Sequence, residues 1–296
     1  MECYLCPRRC KVNRDEQQGF CRVGNLTVAR VGIHKWEEPC ISGERGSGTI
    51  FFSGCNLRCI FCQNDTISRS GYGREISVDM LGKLMLYQQQ TGAENINLVS
   101  PTQFSGQIAE ALEKYKKLIR IPVVYNSNGY ESVEQLRRLE GLVDVYLPDF
   151  KYSDNKIAVE YSSAPHYFEV ASAAIAEMKR QRPKNVLVNG MLRRGVIVRH
   201  LVLPGNLDNS KHVLDYLASF DKNICVSLMA QYFPTKDVKS HNVLGRTLSQ
   251  DEYDEICSYF KQKGLHNGYF QELSSNSEEY VPDWSLNKLD IVLAEI

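Results

Sequence analysis

From Thr49 onward, short runs of β-branched and aromatic residues alternate with longer stretches whose apolar positions recur at helical spacing, the pattern of strands followed by amphipathic helices. Thr49–Phe52 reads as the first strand of this series. After an intervening loop, Ser77 is placed to cap a helix, Met80, Leu81, Leu84 and Met85 form its apolar stripe, and Gly92 can end it. Asn95–Val99, Pro122–Asn126, Val143–Leu147, Gly195–Pro204 and Ile224–Met229 repeat the unit, each preceding a helical stretch. In the last of these stretches Ser249 and Glu252 have the spacing of a capping box. Six such units predict the α/β class with a parallel sheet and outer helices, most simply a partial (β/α)6 TIM-like barrel. Asn185–Arg194 breaks the rhythm, and its Asn189-Gly190 turn predicts a hairpin or lid beside the fifth strand.

The pattern divides the chain into a Cys-rich N-terminal segment (1–45), the strand–helix core (46–275) and a C-terminal extension (276–296) that reads as loop followed by a short helix. With 43% apolar residues and 35 basic against 35 acidic side chains, composition announces neither disorder, nor nucleic-acid binding, nor a membrane partner. No apolar run approaches the roughly 20 residues of a membrane-spanning helix. The beginning "MECYLCPRRC" is unlike a signal peptide, which leads us to expect a cytoplasmic protein.

Eight of the ten cysteines lie in the first 62 residues, and in a reducing compartment clustered thiols mean metal or catalysis. Cys55, Cys59 and Cys62 fall in "GCNLRCIFCQN", directly after the first strand of the series. A loop there lies at the carboxyl-end face of a barrel, where active sites are built. Three soft thiolate ligands, one short of a closed site, leave a coordination position open for chemistry. Cys3, Cys6, Cys10 and Cys21 form a second group with the count and spacing of a tetrahedral zinc site. The same count suits a second iron–sulfur cluster, and unliganded thiols are the third reading. Metal binding would stabilise a short segment rich in arginine and poor in apolar mass. Cys225 and Cys257 read as buried packing thiols, and Cys40 carries no assignment. His200 reads either as a residue of the barrel mouth or as a hydrogen-bonded core histidine. Gln231, Tyr232 and Phe233, after the sixth strand, are candidates to line a substrate cavity.

The cysteine loop, including Phe61 just before its third cysteine, resembles the signature of the radical S-adenosylmethionine (SAM) superfamily. The resemblance implies that Cys55, Cys59 and Cys62 each hold one iron of a [4Fe–4S] cluster whose fourth iron binds SAM. Reductive cleavage of SAM would then yield a 5′-deoxyadenosyl radical that abstracts hydrogen from a substrate. Within the superfamily, "CQN", "NSNGY" (Asn126–Tyr130), "PDFKY" (Pro148–Tyr152) and "VRHLVLPG" (Val198–Gly205) resemble homologs of the pyruvate formate-lyase activating enzyme. That likeness implies a protein or peptide substrate such as a glycyl-radical enzyme, and an electron donor such as flavodoxin or ferredoxin. It also implies cofactor contacts from Phe61, Asn128, Asp149, Lys151 and Arg199. The chain departs from the pattern where these enzymes carry a Gly-Gly-Glu-Pro-like segment: it reads "SPTQ", making Ser100 and Thr102 replacement candidates. Modification of a small molecule or peptide, and non-catalytic iron–sulfur or zinc binding, are the alternative functions.

Overall fold

The computed structural model describes residues 2–275 and 282–296. Its strands are β1 (Thr27–His34), β2 (Ser47–Phe52), β3 (Arg74–Glu75), β4 (Ile96–Val99), β5 (Val123–Ser127), β6 (Val145–Pro148), β7 (Val186–Val188), β8 (Met191–Leu201), β9 (Cys225–Met229) and β10 (Gly268–Phe270). β2, β4, β5 and β6 are buried at every position, as expected of parallel strands covered on both faces. Hydrogen bonding runs in the order β10-β9-β8-β6-β5-β4-β2-β1-β3 without closing. β2, β4, β5, β6, β8, β9 and β10 are mutually parallel. The architecture is therefore the partial TIM-like barrel that the periodicity predicts.

All six predicted strand–helix units are present, and local chemistry explains their helix ends. The Ser77 side chain accepts from the Met80 amide at the start of helix Val78–Gln90. The Ser249–Glu252 capping box forms at the start of Gln250–Gln262. The stretch after β6, expected as one helical region, is two helices, Asn155–Ser162 and Tyr167–Gln181. The break has a backbone cause: Ser163 turns left-handed at φ 50°, and Pro165 disfavours helical geometry for the residue before it. The hairpin at Asn189-Gly190 is β7 paired antiparallel with β8.

Three strands escape the periodicity. β10 adds a short seventh parallel strand beside β9. β1 and β3 extend the other edge in antiparallel register, so residues 27–34 of the Cys-rich segment belong to the same sheet as the core. At the C-terminus, helix Asn287–Glu295 packs by β1, and Trp284 meets Phe51 edge-on at 5.3 Å. The loop expected before this helix falls partly on residues 276–281, outside the described residues. Among the described residues no helix is long and apolar enough to cross a membrane.

His200, on β8, takes the core reading. It is fully buried, with Nδ1 2.7 Å from the Phe150 carbonyl and Nε2 2.8 Å from Ser210 Oγ. A carbonyl only accepts, so Nδ1 carries the proton and Nε2 accepts from the serine. Burial lowers its pKa from 6.5 to about 4. The neutral ring's contribution to stability is therefore complete above pH 6.5 and is lost as the pH falls towards 4. Between these values wild-type unfolding free energy should fall by about 1.4 kcal/mol per pH unit from this residue. Denaturant titrations across that range should show the slope removed in His200→Gln, whatever its baseline stability.

Candidate active site

β2 delivers the chain to Ser53 and then to Gly54, whose φ of 75° turns it into the cysteine loop. A Cβ on Gly54 would lie 2.4 Å from the Cys21 carbonyl oxygen, so glycine is required by both conformation and close approach. The loop is then tied at several points. Gln103 Nε2 lies 2.9 and 3.0 Å from the Ser53 and Gly54 carbonyls. Asn56 Nδ2 donates to the Tyr130 carbonyl at 2.7 Å. The amides of Arg58 and Ile60 donate to the carbonyls of Ser162 and Tyr161, and Gln63 Nε2 donates to the Gln231 carbonyl at 2.9 Å.

Each sulfur has its own polar neighbour. Asn128 Nδ2 and the Leu57 amide lie 3.4 Å from Cys55 Sγ, Ser162 Oγ donates to Cys59 Sγ at 3.0 Å, and Ser68 Oγ is 3.4 Å from Cys62 Sγ. Such contacts orient ligands and tune the metal they hold. Burial pushes the Cys55 thiol up to about 12 and raises Cys62, so a bound metal's positive charge is what would make them thiolates. All three cysteines line one cavity of about 730 Å³, and no fourth cysteine among the described residues does. Among those residues no group of three or more His, Cys, Asp or Glu side chains is arranged to hold a single metal ion. Three thiolates on three different irons need not converge on one point, so the donor set fits a cubane with one iron left without a protein ligand.

The same cavity is lined by Phe61, Ser100, Asn128, Asp149, Lys151 and Arg199. Phe61 meets Tyr232 edge-on at 5.8 Å. Asp149, at the end of β6, bridges Lys151 Nζ at 2.6 Å and Arg199 Nε at 3.0 Å. Burial works against the Asp149 charge, but the two cations overcome it and hold the carboxyl below its ordinary value. Burial likewise opposes the Lys151 charge, and Asp149 reverses the effect and raises its pKa. Arg199 is anchored on three sides, since its Nη1 also reaches Glu37 Oε2 at 3.2 Å and its Nη2 donates to Asn126 Oδ1. It holds Asp149 in place, while Lys151 also feels the nearby Cys59.

Thr102 lies elsewhere: it does not line the cavity, and its hydroxyl donates to the buried Glu131, which burial pushes up to about 7. Of the residues after β9, Gln231 and Tyr232 line the cavity and Phe233 does not. Glu37, which the sequence reading passed over, also accepts from Asn97 and Asn126 at 3.0 and 3.2 Å. Its only sequence signal is an acidic pair, Glu37-Glu38, placed before Pro39 after an alternating apolar run. Burial raises the pKa of both acids, against the pull of Arg199.

Residues 49–217 match the radical SAM superfamily. The chain is 32% identical over 273 residues to an uncharacterized protein of Methanocaldococcus jannaschii, covering 89% of this chain and 75% of that one. Methylornithine synthase is similar in structure, with a TM-score of 0.52 at 12% identity over 84% of this chain and 81% of the enzyme. SuiB of Streptococcus suis bound to the precursor peptide SuiA is similar at a TM-score of 0.51 and 11% identity over 74% of this chain. This chain spans 46% of SuiB, under half its length. Both structural likenesses are of fold.

Asp149→Ala should leave Lys151 and Arg199 buried without their shared counter-charge, at a cost of about 3–5 kcal/mol in denaturant unfolding at neutral pH. Because the folded pKa of Asp149 lies below 3.8, its stabilising charge is present above that pH and lost on further acidification. The difference between wild type and Asp149→Asn should therefore narrow below pH 3.8.

Proposed function

Because this chain belongs to the radical SAM superfamily, whose members use a [4Fe–4S] cluster and SAM, we propose that Cys55, Cys59 and Cys62 hold such a cluster here. In this reading the enzyme abstracts hydrogen from a protein or peptide backbone, as activating enzymes of glycyl-radical enzymes do. The observation that carries it is the shared cavity: three thiols and the Lys151–Asp149 pair face one space that no fourth cysteine among the described residues lines. A bound cluster would supply the electron that cleaves SAM and produces a 5′-deoxyadenosyl radical.

The chain's own residues have the supporting tasks. Lys151 presents an ammonium to the carboxylate of the SAM methionyl group, a charge-assisted contact. Asp149 and Arg199 fix that ammonium, and Asn128 and Ser162 orient the sulfurs of Cys55 and Cys59. Ser100 offers oxygen acceptors to the methionyl ammonium, and Phe61 with Tyr232 excludes water beside the loop. The cavity is flanked by Trp36 and Phe270, exposed at 62% and 42%, apolar surface suited to an incoming polypeptide segment. A flavodoxin- or ferredoxin-type donor would supply the electron. Modification of a small molecule or peptide is the second reading, favoured by the "SPTQ" segment, which carries no acid of its own and whose Thr102 is committed to Glu131.

Anaerobically reconstituted, dithionite-reduced wild type should form 5′-deoxyadenosine from SAM, and Cys59→Ala should fall to the no-enzyme background; equal yields would overturn the assignment of the cluster. Lys151→Ala should bind SAM about 10- to 100-fold more weakly, read by equilibrium dialysis of the reconstituted protein. With a glycyl-radical enzyme added, an organic-radical resonance that depends on SAM would support the activase reading.

A further inference from the structure

The N-terminal thiols form a second constellation outside the cavity described above. Residues 2–26 fold with little regular structure, closed by an antiparallel bridge between Glu2 and Asn13 beside which the Cys3 amide donates to the Val12 carbonyl at 2.9 Å and the Lys11 amide to the Cys3 carbonyl at 3.1 Å. The backbone is strained beside the cysteines: Arg9 and Lys11 flank Cys10 with φ of 44° and 58°, and Arg22 follows Cys21 at 59°. Non-glycine residues adopt such angles at a cost, and this segment buries only Cys6, Cys21, Val23 and Leu26 among its hydrophobic side chains. Some further interaction must offset the strain.

Charge indicates the kind of group. Arg8 Nη2, Arg14 Nε and Arg14 Nη2 are buried without hydrogen-bond partners, and Arg14 lines the same small void as Cys3, Cys6, Cys10 and Cys21. Buried, unsatisfied guanidinium groups are expensive, and a metal centre ligated by four thiolates supplies the anion they lack. Size then distinguishes the two metal candidates. Sulfurs about 2.3 Å from one zinc ion leave no room between them for even a water molecule. Here the void has a volume of about 10 Å³, close to one water-sized sphere, and no group of three or more such ligands is set for a single ion among the described residues.

This tetrad packs directly on the cysteine loop of the first site. Arg8 Nε donates to the Asn56 carbonyl at 2.9 Å and Arg58 Nη2 to that of Phe20. The Phe20 ring lies between the two guanidinium groups, 3.8 Å from Arg8 and 4.5 Å from Arg58, while Cys21 abuts Gly54. We propose that Cys3, Cys6, Cys10 and Cys21 hold a second [4Fe–4S] cluster, one thiolate per iron, in electronic contact with the cluster at Cys55, Cys59 and Cys62. The outer centre, held by these four thiolates, would accept one electron from a low-potential protein donor and supply it to the inner one. The exposed cations Arg9, Lys11 and Arg22 give an acidic donor a surface to approach.

The test is metal and sulfide analysis with electron paramagnetic resonance on protein purified without oxygen. Wild type should contain about eight irons and about eight sulfides per chain with negligible zinc. After dithionite reduction its spectrum should be broadened by interaction between two spins. Cys3→Ala/Cys6→Ala should retain about four irons and give a sharp signal that SAM perturbs. Cys55→Ala/Cys59→Ala/Cys62→Ala should also retain about four irons, with a signal indifferent to SAM, so failure at either site is distinguishable from failure at the other. About four irons with about one zinc in wild type, or about four irons and no zinc, would overturn the second cluster. About eight irons with no spin interaction would overturn the electronic contact. Wild-type analysis keeps the test decisive even where a variant does not fold.

Discussion

The site depends on one carboxylate. Asp149 is buried between Lys151 and Arg199, and Arg199 is in turn buried against Glu37, so charges of alternating sign run along the inner wall of the half-barrel. None of these ions could be left alone in that position, because an isolated buried charge costs several kcal/mol. Together they tolerate burial, and the asparagines of β4 and β5 complete the bonding of Glu37. The chain of pairs couples distant parts of the sequence: the loop after β1, the end of β6 and the C-terminal part of β8 must all be in place before Lys151 is fixed at the cavity.

The cysteine loop is constrained in a complementary way. It contains almost no regular structure, and its shape is imposed by donors and acceptors from other elements: Gln103 at its entrance, Asn128 and Tyr130 after β5, and Ser162 and Tyr161 from the helix that follows β6. Such a loop can hold three sulfurs steady while leaving the space in front of them open. Binding sites on loops gain precision when the scaffold beneath them is rigid, and here that scaffold is the fully buried strand set of β2, β4, β5 and β6.

The N-terminal segment is part of this arrangement. β1 joins the barrel sheet, Cys21 meets Gly54, and Phe20 is clamped by arginines from both segments. An arginine of each segment donates to a backbone carbonyl of the other, so a displacement of the N-terminal cysteines is transmitted directly to the first cysteine loop.

The sequence by itself determined what is local. Periodicity marked the six strand–helix units and their order, capping chemistry marked helix starts at Ser77 and Ser249, and the spacing of Cys55, Cys59 and Cys62 marked the site, because each signal lies within one turn of helix or one loop. It also placed Asp149 and Lys151 together, two positions apart after one strand. Tertiary structure decided what depends on positions far apart in the chain. It brought Glu37 to Arg199 across 162 positions, committed Thr102 to Glu131 and away from the cavity, and added β1 and β10 to the sheet. The physical reason is common to all: a buried charge, a hydroxyl or a three-residue strand takes its meaning from the partner it meets, and that partner is chosen by the folded barrel.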